Sequence, residues 1–91
     1  MTSHDLVFRD RYGLHPRAAM RIQQTASEFR SRVTIQSVSA GGTPVSARSM
    51  ISLVSAGIRL GDTIRLTAEG EDEAAAVAAL RALIEQGVCH P

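Results

Sequence analysis

The sequence has no lysine, no tryptophan and one cysteine, Cys89. A single cysteine cannot close an internal disulfide and leaves zinc without a thiolate cluster. Aromatic residues are scarce, with only Phe8, Phe29 and Tyr12 in the whole chain. No apolar run reaches membrane-spanning length, and the N-terminus lacks the basic-then-apolar pattern of a secretory signal. A cytoplasmic protein without membrane insertion is therefore expected. Gly-x-Gly-x-x-Gly, Walker, Cys-x-x-Cys and His-Glu-x-x-His patterns are absent, so no cofactor or metal is expected. His4 and His90 stand near the ends of the chain without a partner at metal-ligand spacing.

What is present suffices for one domain over residues 1–91 with one modest core: 44% of the 91 residues are hydrophobic. A net charge of +1 argues against strong nucleic-acid binding. The distribution of charge is uneven. Residues 1–65 carry +5, residues 66–91 carry −4, and all ten basic residues are arginine. Two readings stand: a solvated surface with a compositional taste for arginine, or a basic rim that meets acidic partners. Charge runs alone do not choose between them.

The periodicity predicts β-α-β-β-α-β-α. Residues 5–9 read as a strand, with Leu6 and Phe8 on one face. From Pro16 to about Phe29, the positions Ala19, Ile22, Ala26 and Phe29 recur at helical spacing, with Gln23 at the edge of that face. Val33, Ile35 and Ser37 alternate inward along a second strand. Ala40-Gly41-Gly42 marks a turn. Thr43 to Ala47 reads as a short strand, placed at a sheet edge because Pro44 cannot donate to a ladder. Ser49 to Ala56 reads as a short helix stopped by Gly57. In Thr63–Ala68, Ile64, Leu66 and Ala68 share one face, as in a half-exposed antiparallel strand. A last helix opens in the acidic run after Gly70 and ends at Gly87, with Val77, Leu80 and Ile84 as its buried stripe and Ala76 and Leu83 beside it. Strands with one apolar face need helices over that face. The expected fold is an α+β open-faced sandwich with four mostly antiparallel strands.

The chemistry concentrates in Gly13-Leu14-His15-Pro16-Arg17-Ala18-Ala19. Proline is favoured at the first helical position, where its missing N–H would be unpaired in any case. His15 therefore reads as a helix N-cap or its neighbour, close to free backbone N–H groups. A helix N-terminus attracts anions through those donors and through the dipole. A neutral imidazole beside an arginine at such a place suits a transferable phosphoryl group. Arg17 also has a plain reading, as a solvated first-turn residue. An arginine there opposes the dipole, however, so an anionic partner explains it better.

With its motif G-L-H-P-R-A-A, the chain resembles the HPr family, the histidine-containing phosphocarriers of the bacterial phosphoenolpyruvate-dependent sugar phosphotransferase system. The family pattern is G-[LI]-H-x-R-P-[AS]. The resemblance spans nearly the whole chain, including Ser49-Met50-Ile51 and the stretch Ala68 to Glu73. It implies that His15 takes phosphate on Nδ1 from enzyme I and passes it to enzyme II A domains. It implies that Arg17 neutralises the phosphoryl oxygens, that Ser49 is a target for an HPr kinase/phosphorylase, and that Met50, Ile51 and Val54 form a docking patch. It also implies a carrier modified by partner enzymes, expected to be monomeric, rather than an enzyme.

Two departures stand out. Ala18 occupies the family's usual proline position, while Pro16 directly follows the histidine, so the amides of Arg17 and Ala18 are the expected phosphate cradle. The turn Ser39 to Thr43 is longer than is common in the family.

Alternatives remain at the sequence level. Ser49 is equally well explained as a plain N-cap. Leu53 reads as core, whereas Met50, Ile51 and Val54 read either as core or as an exposed patch that Met20 extends. A regulatory module acting through phosphorylated Ser49 is one rival function. A ferredoxin-like RNA-binding module is another, but it requires exposed sheet aromatics that this chain does not supply.

Overall fold

The computed structural model describes residues 1–86. Cys89, His90 and the expected helix stop at Gly87 lie outside the described residues. The elements are β1 (Thr2–Val7), α1 (Pro16–Ala26), β2 (Arg32–Ser37), β3 (Val45–Ser46), α2 (Met50–Ser55), β4 (Thr63–Glu69) and α3 (Glu73–Glu85). The order of elements is the expected one. The four strands form one antiparallel sheet in the order β1-β4-β2-β3.

Alternation builds the sheet. In β2, Val33, Ile35 and Ser37 point inward; in β4, Ile64, Leu66 and Ala68 do the same. The helices lay their own apolar stripes on that face. α1 contributes Ala18, Ala19, Ile22 and Ala26, and α3 contributes Ala76, Val77, Leu80 and Ile84. Phe8, Leu53 and Ile58 complete the core, and Phe29, which the sequence places in the core, is only partly buried against it. The opposite sheet face is polar, and there the Asp5–Arg65 pair spans β1 and β4. The Arg65 guanidinium holds the Asp5 carboxyl below the usual range. The result is the expected α+β open-faced sandwich. Among the described residues, no helix is long and apolar enough to cross a membrane.

Three elements, β1, α1 and β3, differ most in extent from the expectation. β1 runs over Thr2–Val7 rather than residues 5–9, because Thr2 to Val7 pair continuously with Ala68 to Thr63. Phe8 leaves the ladder and exchanges backbone hydrogen bonds with the Gly61-Asp62 turn instead. α1 stops at Ala26 rather than near Phe29. The Ser27 hydroxyl donates to the Gln23 carbonyl, and the Arg48 guanidinium takes the carbonyls of Phe29 and Ser31. Those contacts turn the chain into β2.

β3 shrinks to Val45–Ser46 at the sheet edge, directly after Pro44, which has no N–H to give. α3 starts at Glu73, inside the acidic run as expected, and Asp72 before it serves a distant loop. Its carboxylate accepts from the Ser31 hydroxyl and from the backbone N–H groups of Arg30 and Ser31. Those bonds, the Ser31 hydroxyl first, hold the Asp72 carboxyl below its ordinary range.

Candidate functional site

The loop from Asp10 to Leu14 aims the site. The Asp10 carbonyl accepts the Gly13 N–H at 3.0 Å, and Asp10 Oδ1 accepts the Tyr12 N–H at 3.0 Å. This is an Asx-type turn, made by a short acceptor side chain that bonds its own backbone two residues on. Gly13 follows at φ 71°. A Cβ there would lie 2.7 Å from the Ile58 carbonyl oxygen, which also accepts the Leu14 N–H at 2.9 Å. Only glycine fits both the left-handed backbone and the close approach. Leu14 is then buried, which fixes the direction in which the next residue leaves the loop.

His15 is the N-cap of α1, as expected, with extended backbone angles (φ −80°, ψ 173°). Pro16 occupies the first helical turn. The His15 carbonyl starts the helix ladder by accepting the Ala19 N–H at 2.9 Å. Its Nδ1 accepts the Ala18 N–H across a long 3.4 Å, so the imidazole itself caps the helix. The other ring nitrogen, Nε2, lies 3.6 Å from Asp10 Oδ2. The His15 side chain is 23% exposed and that of Asp10 only 7%. Tyr12 packs edge-on against the His15 ring at 6.1 Å, and the Arg11 guanidinium lies 6.0 Å from the Tyr12 ring.

A neutral imidazole has one N–H and one lone pair. The Ala18 N–H marks Nδ1 as the lone-pair atom, so the proton belongs on Nε2. Nδ1 therefore carries the lone pair, and it faces the positive end of α1. Arg17 is exposed beside it in the first turn. The Ala18 side chain is fully buried, so it contributes its N–H to the site and its methyl group to the core.

The other expected residues lie on α2 and on the outer face of α1. Ser49 is the N-cap of α2: its Oγ accepts the Ser52 N–H at 3.2 Å and lies 3.0 Å from Ser52 Oγ. Leu53 is buried, whereas Met50, Ile51 and Val54 are exposed, Ile51 to 82%. This decides the alternative that sequence leaves open. A six-residue helix presents one buried side, and Leu53 fills it. Met50, Ile51, Val54 and Ser55 line a shallow depression of about 310 Å³. Met20 is exposed on α1, which packs against α2.

Sequence reasoning missed Asp10. The available signal was an Asx-type acceptor three residues before a glycine, which folds the loop back toward His15. Among the described residues, no three His, Cys, Asp or Glu side chains gather as a metal site.

A family model described as "PTS HPr component phosphorylation site" matches residues 2–86. The chain is 36% identical over 85 residues to the Phosphocarrier protein HPr of Xylella fastidiosa (strain 9a5c), covering 93% of this chain and 92% of that one. It is 33% identical over 86 residues to the Multiphosphoryl transfer protein of Salmonella typhimurium, of which it spans only 23%. Its structure is similar to that of HPr-C-His from Thermoanaerobacter tengcongensis, with a TM-score of 0.87 and 35% identity, covering 94% of this chain and 93% of that one.

Proposed function

Because this chain belongs to the HPr phosphocarrier family of the phosphotransferase system, we propose that it relays a phosphoryl group through His15 Nδ1. The observation that carries this reading is the His15 ring: partly exposed, capping α1, with its lone-pair nitrogen over the opening turn.

In this reading, Nδ1 attacks a phosphohistidine of enzyme I and later yields the group to a histidine of an enzyme II A domain. The lone pair that accepts the Ala18 N–H is the one that bonds phosphorus. Phosphorylation therefore frees that N–H to turn toward a phosphoryl oxygen. Arg17 adds a charge-assisted donor from the adjacent position. Moving proline from position 18 to position 16 thus exchanges one first-turn donor for another and keeps an amide facing the group.

The chain acts as a single, monomeric, cytoplasmic domain that partner enzymes load and unload, and it serves sugar uptake or its regulation. Met20, Met50, Ile51 and Val54 form the docking surface, whose exposed apolar side chains suit a partner better than water. Ser49 is the regulatory position, where a kinase would place roughly −1.5 to −2 charges beside that surface. Its hydroxyl is already engaged as a cap, so a kinase must first draw it away from Ser52. That favours relay over a purely regulatory role.

The test is incubation with phosphoenolpyruvate and enzyme I, followed by intact-mass measurement. The expected result is an added phosphoryl group that acid removes in the wild type and that His15→Ala never acquires. An unlabelled wild type would reject the relay.

A further inference from the structure

We propose that Asp10 is a positioning residue: it holds the proton of the neutral His15 ring on Nε2 and so reserves the Nδ1 lone pair for phosphorus. The use of that lone pair rests on the relay reading above; the placement of the proton does not.

Each His15 ring nitrogen has one neighbour that specifies its state. Nδ1 meets a donor, the Ala18 N–H, and so must carry the lone pair. Nε2 is buried and makes no hydrogen bond of ordinary length among the described residues. The polar atom nearest to filling that role is Asp10 Oδ2, 3.6 Å away. A carboxylate there attracts an N–H and repels a lone pair. With the Asp10 side chain only 7% exposed, solvent screens that preference weakly. Which nitrogen of a histidine is protonated is commonly decided by the partner of the other one.

Asp10 is also held in place. Its Oδ1 caps the Tyr12 N–H and its carbonyl takes the Gly13 N–H, so the carboxylate cannot leave without opening the turn. The 3.6 Å separation is longer than a hydrogen bond, as is common for catalytic contacts before charge develops.

Charge develops during transfer. The N–P bond of the donor phosphohistidine breaks, and its electron pair stays on the donor nitrogen. The Nδ1–P bond forms from the Nδ1 lone pair. Nε2 keeps its proton, so the His15 ring becomes cationic while the phosphoryl oxygens carry the negative charge. Asp10 then faces a positive ring. When the group moves on, the Nδ1–P electron pair returns to Nδ1, and the ring is neutral again with its proton still on Nε2.

The experiment is ¹⁵N NMR of the histidine-labelled, unphosphorylated full chain, at a pH high enough for the neutral ring to dominate. In the wild type, Nε2–H should dominate. In Asp10→Ala, the Nδ1–H share should rise about threefold, the scale of a weak, partly screened contact. An unchanged ratio in a folded Asp10→Ala overturns the proposal.

If Asp10→Ala does not fold, Asp10→Asn decides. Asparagine has one acceptor oxygen for two tasks. Either it caps Tyr12 and the tautomer shifts, or it faces Nε2 and the Tyr12 amide loses protection from exchange; both support the proposal. A protected Tyr12 amide with an unchanged tautomer overturns it. A purely structural role in the loop would move neither readout in Asp10→Asn. Failure of the relay appears elsewhere, as a wild type that takes no label from phosphoenolpyruvate and enzyme I.

Discussion

The Thr2 hydroxyl donates a 2.6 Å hydrogen bond to Glu73 Oε2, tying the edge strand to the first turn of α3 across 71 residues of sequence. The Met1 ammonium lies 2.9 Å from the same oxygen, and the Gly70 N–H donates to Oε1. Together these hold the Glu73 carboxyl at about 2 against an ordinary value of 4.5, with the Thr2 bond as the main cause.

An acid dependence follows from that depression. The folded state favours ionised Glu73, so its contribution is complete above the unfolded value near 4.5 and disappears as pH falls toward 2. Glu73→Gln should therefore melt below the wild type near pH 6. The two melting temperatures should converge as pH approaches 2. Circular dichroism melts across that range check it, and a gap that stays constant with pH would contradict the assignment.

Arg17 is exposed, so Arg17→Ala should leave the melting temperature nearly unchanged. Phosphoryl acceptance from enzyme I should slow by roughly 10- to 100-fold, the scale of one lost charge-assisted hydrogen bond. Arg17→Lys should recover part of the loss, since it restores the charge without the planar fork. Rapid-quench phosphotransfer measures the two rates, and a thermal melt checks the stability.

Two neighbours on α2 should separate docking from folding. Ile51 is 82% exposed and Leu53 is fully buried. Leu53→Ala should cost about 2–5 kcal/mol in urea unfolding. Ile51→Ser should stay within about 0.5 kcal/mol of the wild type. The same Ile51→Ser variant should raise the KM for enzyme I about fivefold, as expected when one apolar anchor leaves an interface.

Ser49→Ala removes the cap of a six-residue helix. The expected loss is about 1 kcal/mol in urea unfolding, with His15 still accepting phosphate. A loss of labelling in a folded Ser49→Ala chain would mean that the α2 terminus takes part in transfer.

Much of the fold was legible because its signals are local. The period-two pattern of Val33, Ile35 and Ser37 and of Ile64, Leu66 and Ala68 needs only neighbouring residues to be read. So do the helical spacing of Ala19, Ile22 and Ala26 and the Gly-Leu-His-Pro run. β1 was misplaced because Thr2, Ser3 and His4 show no apolar alternation; pairing with β4 makes them a strand. Asp72 stands before α3 as its N-cap, yet its carboxylate is spent on Ser31, 41 residues away, a use that no local pattern shows.

The sequence by itself determined that a histidine would stand at the mouth of a helix, with proline behind it and arginine beside it, because turn and cap chemistry act over a few residues. The tertiary structure alone decided that Asp10 faces Nε2 and that Met50, Ile51 and Val54 meet solvent. Those outcomes depend on how the loop folds back over Ile58 and on which side of α2 the sheet covers, and both follow from long-range closure that no local pattern encodes.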